Sequence, residues 1–292
     1  MNTKKLTMLL SCLSLIQTET ALAEVVLPLK FDTGNAAPYG FPTTIISIQG
    51  QTFPIIVDTG GKKWGVMLRE QAIHKLHVQF TGKTICSQTT EGRICLKEII
   101  IPEIQIGDYL VKNVHGTYLP KWWGHVENFK ETEASRNGML GFEVLSQFNF
   151  LIDSQQGRII FTKKDEKLTG YDIKNWISLP FKGHLQTQLN LNDKPIIFSW
   201  DTGAVPSIIK QSKVAISALC PKDSPFKGRV NCFYTTPTSL TTMNGKNLPA
   251  TWFMISPIPS FAPFDGLIGA NFYQQNVVYF AMGEKRIYIK PA

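Results

Sequence analysis

The sequence predicts a mainly β protein built from two similar lobes. Three observations carry that reading. A segment of the chain recurs later without a gap, and each copy is preceded by the same hairpin-like pattern. The runs between Gly, Pro and Asn residues are short and rich in β-branched and aromatic side chains. Long runs with 3.6-residue periodicity are scarce, so at most a few short helices are expected, one of them after Leu68, across residues 69–76.

The chain has 292 residues, 43% of them hydrophobic, which is ordinary for a globular protein and leaves room for two domain-sized units. Residues 1–23 read as a cleaved signal peptide. Lys4 and Lys5 form a positive start, Leu6 to Ile16 a short apolar run, and Ala21-Leu22-Ala23 an A-x-A cleavage site. That run is shorter than the roughly 18 residues a membrane span needs, and no later segment reaches that length, so no transmembrane segment is expected. Leu10-Ser11-Cys12 is a faint lipoprotein-box pattern that cleavage at Ala23 discards.

The expected mature chain keeps Cys86, Cys95, Cys220 and Cys232, two near-neighbour pairs that in an exported protein suggest two local disulfides. Four cysteines allow three connectivities, and four reduced thiols are the alternative. No C-x-x-C spacing points to zinc. Removing Lys4, Lys5 and Glu19 takes the net charge from +8 to +7, that is, 28 basic against 21 acidic residues. The basic residues are scattered, not striped, so no nucleic-acid partner is expected.

The repeat fixes the organisation. Residues 138–161 align on residues 266–289, with Gly138, Gly141, Gln147, Arg158 and Ile159 falling on Gly266, Gly269, Gln275, Arg286 and Ile287. Upstream, TIISIQGQTFPIIVDTG ends at Gly60 and LQTQLNLNDKPIIFSWDTG ends at Gly203. Each reads as strand, turn (at Gly50 or Asn192-Asp193), strand, then Asp-Thr-Gly. The expected division is a signal peptide at 1–23, an N-terminal lobe at 24–163, a polar linker at 164–180 containing KKDEK, and a C-terminal lobe at 181–292. Ser146 and Gln274 are expected to begin irregular turns before returning strands.

A duplicated Asp-Thr-Gly at the end of an apolar strand has a chemical use. Two lobes packed about an approximate two-fold axis bring both carboxyl groups to one point, where they cannot easily both ionise and so share a proton. One carboxylate then acts as general base on a water while its protonated partner hydrogen-bonds a carbonyl and stabilises the oxyanion. This chemistry needs no metal or other cofactor.

With these residues the chain resembles the aspartic peptidases of the pepsin and retropepsin clan, over most of the mature sequence. In that clan each lobe carries D-T/S-G followed by two hydrophobic residues and a glycine. Here Asp58-Thr59-Gly60 goes with Met139-Leu140-Gly141, and Asp201-Thr202-Gly203 with Leu267-Ile268-Gly269. The resemblance implies a bilobal acid-protease fold with two retropepsin-like β-barrel lobes and the active site between them. It implies Asp58 and Asp201 as catalytic carboxylates, Thr59 and Thr202 as cross-links between the active-site loops, and Gly60 and Gly203 as room for backbone amides; Gly141 and Gly269 support the loops. It also implies extended polypeptide substrates and a monomer with pseudo-two-fold symmetry.

Two departures bear on the chemistry. Gly61 stands where the clan usually has Ser, Thr or Ala, Lys62 and Lys63 follow, and Ala204 follows the second triplet. Neither Gly61 nor Ala204 offers a hydroxyl to the carboxylates, which predicts a milder acid optimum, while lysines facing the site would act the other way. A third tripeptide, Asp32-Thr33-Gly34, lacks a preceding hairpin and runs into a loop-like stretch; it is read as a decoy.

A substrate of this clan pairs in extended form with a hairpin flap. The segments 86–95 and 232–247 are flap candidates, and Tyr118 and Tyr234 candidate flap tyrosines; surface loops stapled for stability are the alternative. Trp122-Trp123 lies in a loop-like stretch and is read as ordinary packing in preference to a cleft wall or a membrane-interface contact. His74 and His77 are three apart on the expected helix but lack a further ligand at metal-binding spacing. No H-E-x-x-H or G-x-S-x-G motif supports a zinc or serine hydrolase. A peptide-binding or inhibitor protein on the same fold is the competing function.

Overall fold

A computed structural model describes residues 24–34, 39–89, 92–120, 131–214, 218–219, 233–235, 237–256 and 258–291. The expected signal peptide, Cys220, Cys232, Trp122, Trp123 and the side chain of Tyr234 lie outside the described residues. Strands dominate, and the α-helices are single turns: Glu70–Ile73, Glu133–Asn137, Phe142–Leu145 and Ala270–Tyr273. The helix expected over 69–76 is only its first four-residue turn. Beyond it the backbone tightens, with the Lys75 N–H donating to Ala72 and the Leu76 N–H to Ile73 in place of bonds four residues back.

The N-terminal lobe is an eight-stranded sheet. Its hairpin Phe41–Ile48 with Gln51–Val57 turns at Gln49-Gly50, both at positive φ, which is why a glycine ends the turn. The C-terminal lobe repeats this with Gln186–Leu191 and Lys194–Trp200, turning at Asn192-Asp193, again both at positive φ. Asn and Asp tolerate that conformation better than other side chains.

The expected β-barrels are not formed. The N-terminal sheet folds back on itself over only two residue pairs, Ser47↔Gln105 and Ile48↔Ile104, and the seven-stranded C-terminal sheet is open among the described residues. The reason is a third sheet that takes the chain ends and the returning strands of both halves. It is six-stranded, in the order Val25–Pro28, Arg158–Lys163, Phe148–Asp153, Val277–Ala281, Arg286–Ile289, Ile177–Pro180.

The centre of this shared sheet marks the symmetry of the molecule. Leu151 pairs directly with Tyr279, its own mate in the sequence repeat. Phe150 stacks on Phe280 beside it, with centroids 4.5 Å apart. Both central strands are buried along their whole length, as their near-continuous apolar sequence requires. A continuous core runs from Ile55 and Leu140 through Phe150 and Phe280 to Trp200 and Ile268, so the two halves pack as one body.

Candidate active site

The two Asp-Thr-Gly segments are placed by identical backbone devices. Gln51–Val57 pairs in parallel with Gly138–Leu140, and the Asp58 N–H donates to the Leu140 carbonyl at 2.9 Å. Lys194–Trp200 pairs in parallel with Gly266–Ile268, and the Asp201 N–H donates to Ile268 at 3.0 Å. The hydrophobic pairs Met139-Leu140 and Leu267-Ile268 thus serve as the strands against which each loop is hung.

The loops then interlock. The backbone N–H of Thr59 donates to the Thr202 hydroxyl and that of Thr202 to the Thr59 hydroxyl, both at 2.9 Å. Thr59 Oγ1 donates to the Trp200 carbonyl at 2.8 Å and Thr202 Oγ1 to the Val57 carbonyl at 2.6 Å. Both threonines are fully buried, so each hydroxyl satisfies backbone groups of the opposite half that no water reaches.

This brings Asp58 and Asp201 together. Oδ1 of each accepts the N–H of its own glycine, Gly60 or Gly203, at 2.9 Å. A Cβ on Gly60 would overlap the Asp201 carboxyl, and one on Gly203 would overlap Asp58 Oδ1, so only glycine lets the loops approach this closely. A Cβ on Gly141 would overlap the Trp64 carbonyl, and one on Gly269 would fall 2.6 Å from the Ala204 carbonyl, which explains both glycines as close-packing positions.

Burial, then the Asp201 carboxyl, raises Asp58 well above the ordinary carboxylate range, against the Gly60 and Gly61 amides that favour its charge. Burial likewise raises Asp201, opposed by the Gly203 amide. The hydrogen bond between the two carboxyls disfavours ionisation of Asp58 and favours that of Asp201, the signature of a pair holding one proton. Such a pair can offer a general base and a hydrogen-bond donor at the same point.

Cys86 and Cys95 form a disulfide between directly opposed residues of the hairpin Gln79–Thr89 and Gly92–Ile106. Lys63 Nζ, from the loop after Asp58, donates to the Cys86 carbonyl at 2.8 Å and ties that hairpin to the carboxyl pair. Tyr118 lies on the adjacent strand Tyr109–Leu119, edge-on to Phe80 and off the hairpin itself. Asp32 sits on the edge strand Lys30–Asp32, opposite Phe41. His74 reaches only Glu70, and no group of three His, Cys, Asp or Glu among the described residues could hold a metal ion.

Three features were not read from the sequence. The Trp64 indole lies beside Gly61. Ser207 accepts the Gly269 N–H and donates to Asn271 Oδ1, bracing the second loop. His184, just before the second hairpin, packs edge-on to Phe142 at 4.3 Å against the Thr59 and Gly60 backbone. Repeat alignment supplied a signal for Trp64 and Ser207, which occupy the same place in the two copies; His184 had none, because its ring packs on Phe142 of the other half.

The architecture is that of the bilobal aspartic proteinases. Residues 44–144 match the family described as Aspartyl protease. Its fold is similar to that of the crystal structure of aspartic proteinase from Irpex lacteus, with a TM-score of 0.55 over 92% of this chain and 98% of that one, at 10% identity. No curated protein matches the chain in sequence. No helix among the described residues is long and apolar enough to cross a membrane.

Proposed function

We propose that the chain is an exported aspartic endopeptidase that hydrolyses peptide bonds with a water activated between Asp58 and Asp201. The observation that carries this reading is the convergence of Asp58, which is buried, and Asp201, which is partly buried, on loops held by reciprocal Thr59–Thr202 bonds. The ionised member removes a proton from the water as it attacks the scissile carbonyl. The protonated member hydrogen-bonds the carbonyl oxygen and stabilises the developing oxyanion. The same proton inventory then protonates the leaving amine.

The disulfide-pinned hairpin is read as the flap that covers an extended polypeptide, with strand-like pairing giving affinity at any peptide sequence. The N-terminal signal pattern and the disulfide support an exported address, and the internal two-fold supports a monomer.

The test is cleavage of an unfolded protein by purified protein across roughly pH 3 to 7, a range that brackets carboxyl pairs. Wild type and Asp32→Asn should cut, and Asp58→Asn and Asp201→Asn should not. Folded wild type that never cuts would replace the enzyme with a peptide-binding protein on the same fold.

A further inference from the structure

The loop after Asp58 has a glycine where a hydroxyl-bearing side chain would ordinarily reach the carboxylate, and the space is filled from elsewhere. A Cβ on Gly61 would fall 2.5 Å from Trp64 Nε1 and 3.0 Å from Asp58 Oδ2. The indole nitrogen and that carboxylate oxygen therefore lie no farther apart than the sum of these two distances, a gap that one water spans. Oδ2 is the outer oxygen of Asp58, because Oδ1 is occupied by the Gly60 amide and faces Gly203.

The indole is held in this position on both sides. Gly141, where a Cβ would come 2.8 Å from Trp64 Cδ1, leaves room for its pyrrole edge, and the Phe142 and Glu143 amides bond the Gly61 and Trp64 carbonyls. The side chain is buried in one cluster with Ile56, Met67 and Leu96. An indole N–H is a donor only, so it can serve a carboxylate and nothing that itself donates.

The second loop has no counterpart. Ser207 stands at the Trp64 position of the repeat, and its hydroxyl is turned to Asn271 and Gly269. We propose that the indole N–H of Trp64 is the donor to the outer oxygen of Asp58, a positioning residue that replaces the missing hydroxyl at position 61 and makes the two halves of the pair inequivalent. Gly61 is required because any side chain there displaces the indole. The groups that titrate or carry charge around this contact are Asp201, Lys62 and Lys63 on the same loop, His184 from the other half, and the buried Tyr273 hydroxyl that faces Asp201.

The kinetic consequences rest on the peptidase reading; the spectroscopic one does not. With all six tryptophans labelled at the indole nitrogen, the Trp64 resonance is assigned by its loss in Trp64→Phe. It should move with the carboxyl titration over roughly pH 3 to 7 and stop doing so in Asp58→Asn, whether or not the protein cleaves anything. A resonance that is silent over this range, or that keeps its response in Asp58→Asn and so follows His184, overturns the proposal. In cleavage assays Trp64→Phe should lower kcat about 10- to 100-fold with little change in KM, since a donor aimed at a reacting carboxylate acts in the transition state. Its basic limb should move to higher pH, because Asp58 is the member that keeps the shared proton and a lost donor to its ionised form favours the protonated one. Gly61→Ser should damage the wild type yet improve Trp64→Leu, where its hydroxyl can take over; the same effect in both backgrounds refutes the exchange of roles.

Discussion

Thr59 and Thr202 each accept the other's backbone N–H at 2.9 Å and each donate a hydroxyl across to the opposite half, to Trp200 and Val57. Four buried backbone groups depend on two hydroxyls. Thr59→Val or Thr202→Val leaves two of them without partners, and each is expected to cost about 2 to 6 kcal/mol, from about 1 to 3 kcal/mol per buried orphaned group. Thr59→Ser keeps the oxygen and should stay within about 1.5 kcal/mol of wild type, the methyl being the only loss. Urea unfolding measures both, and equal losses for Val and Ser would show that packing of the methyl matters more than the hydroxyl.

The carboxyl pair should also be visible in stability. Burial raises both groups in the folded state, and repulsion from Asp201 raises Asp58 further, so the unfolded chain ionises first as pH rises. A raised folded pKa contributes stability that is fully present below the unfolded carboxyl value and is lost as pH climbs through the folded one. Asp201→Asn weakens that dependence, since it removes one raised group and its repulsion of Asp58 while burial still raises Asp58. It is expected to be more stable than wild type at pH 7, with the advantage shrinking toward pH 4, as followed by urea unfolding at both values.

The repeat made much of this legible. Asp58, Asp201 and the four supporting glycines could be read because strand, turn and tripeptide recur in register, and local pattern encodes strands well. Barrel closure could not be read, because which strand pairs with which is a long-range property; the shared sheet joins Phe148–Asp153 to Val277–Ala281 across more than a hundred residues. Gly61 was read only as a lost hydroxyl. The group that fills its space lies three residues on and reaches it through the turn, a contact that no residue spacing announces.

The hairpin that carries Cys86 and Cys95 should respond to two independent changes. The bridge closes a sequence separation of 9 residues, for which loop-closure entropy gives about 2 to 3 kcal/mol. Because the loop is local, Cys86→Ser/Cys95→Ser should speed amide exchange about 30-fold or more in the hairpin and leave the shared sheet unchanged. Lys63→Met removes the bond to the Cys86 carbonyl. It should raise KM severalfold with kcat nearly constant if this hairpin covers substrate, and steady-state cleavage kinetics would show the reverse split if Lys63 instead acts on the carboxyl pair.

His184 should oppose the carboxyl pair in the pH dependence of stability. Burial first, and the Lys62 charge second, push its imidazole down to about 4, although the Thr59 and Gly60 backbone favours the charged ring. Ser199 fixes the His184 backbone through its hydroxyl, and Phe142 covers the ring. A histidine whose folded pKa is depressed is neutral when folded and takes a proton on unfolding, so stability falls as pH drops below the unfolded value of about 6.5. Down to pH 4 the loss from this one group is about 3 kcal/mol, because one pKa unit is worth about 1.36 kcal/mol. Phe41 occupies the matching position of the first half, where it packs against the cluster that holds Ile56, Trp64 and Met67, so an aromatic ring without charge suits this fold. His184→Phe should therefore unmask the carboxyl pair. Its unfolding free energy should rise from pH 7 to pH 4, relative to wild type, by about the same 3 kcal/mol. Parallel profiles for the two proteins would mean that the folded protein protonates His184 freely, as a ring bonded to the Thr59 and Gly60 carbonyls would.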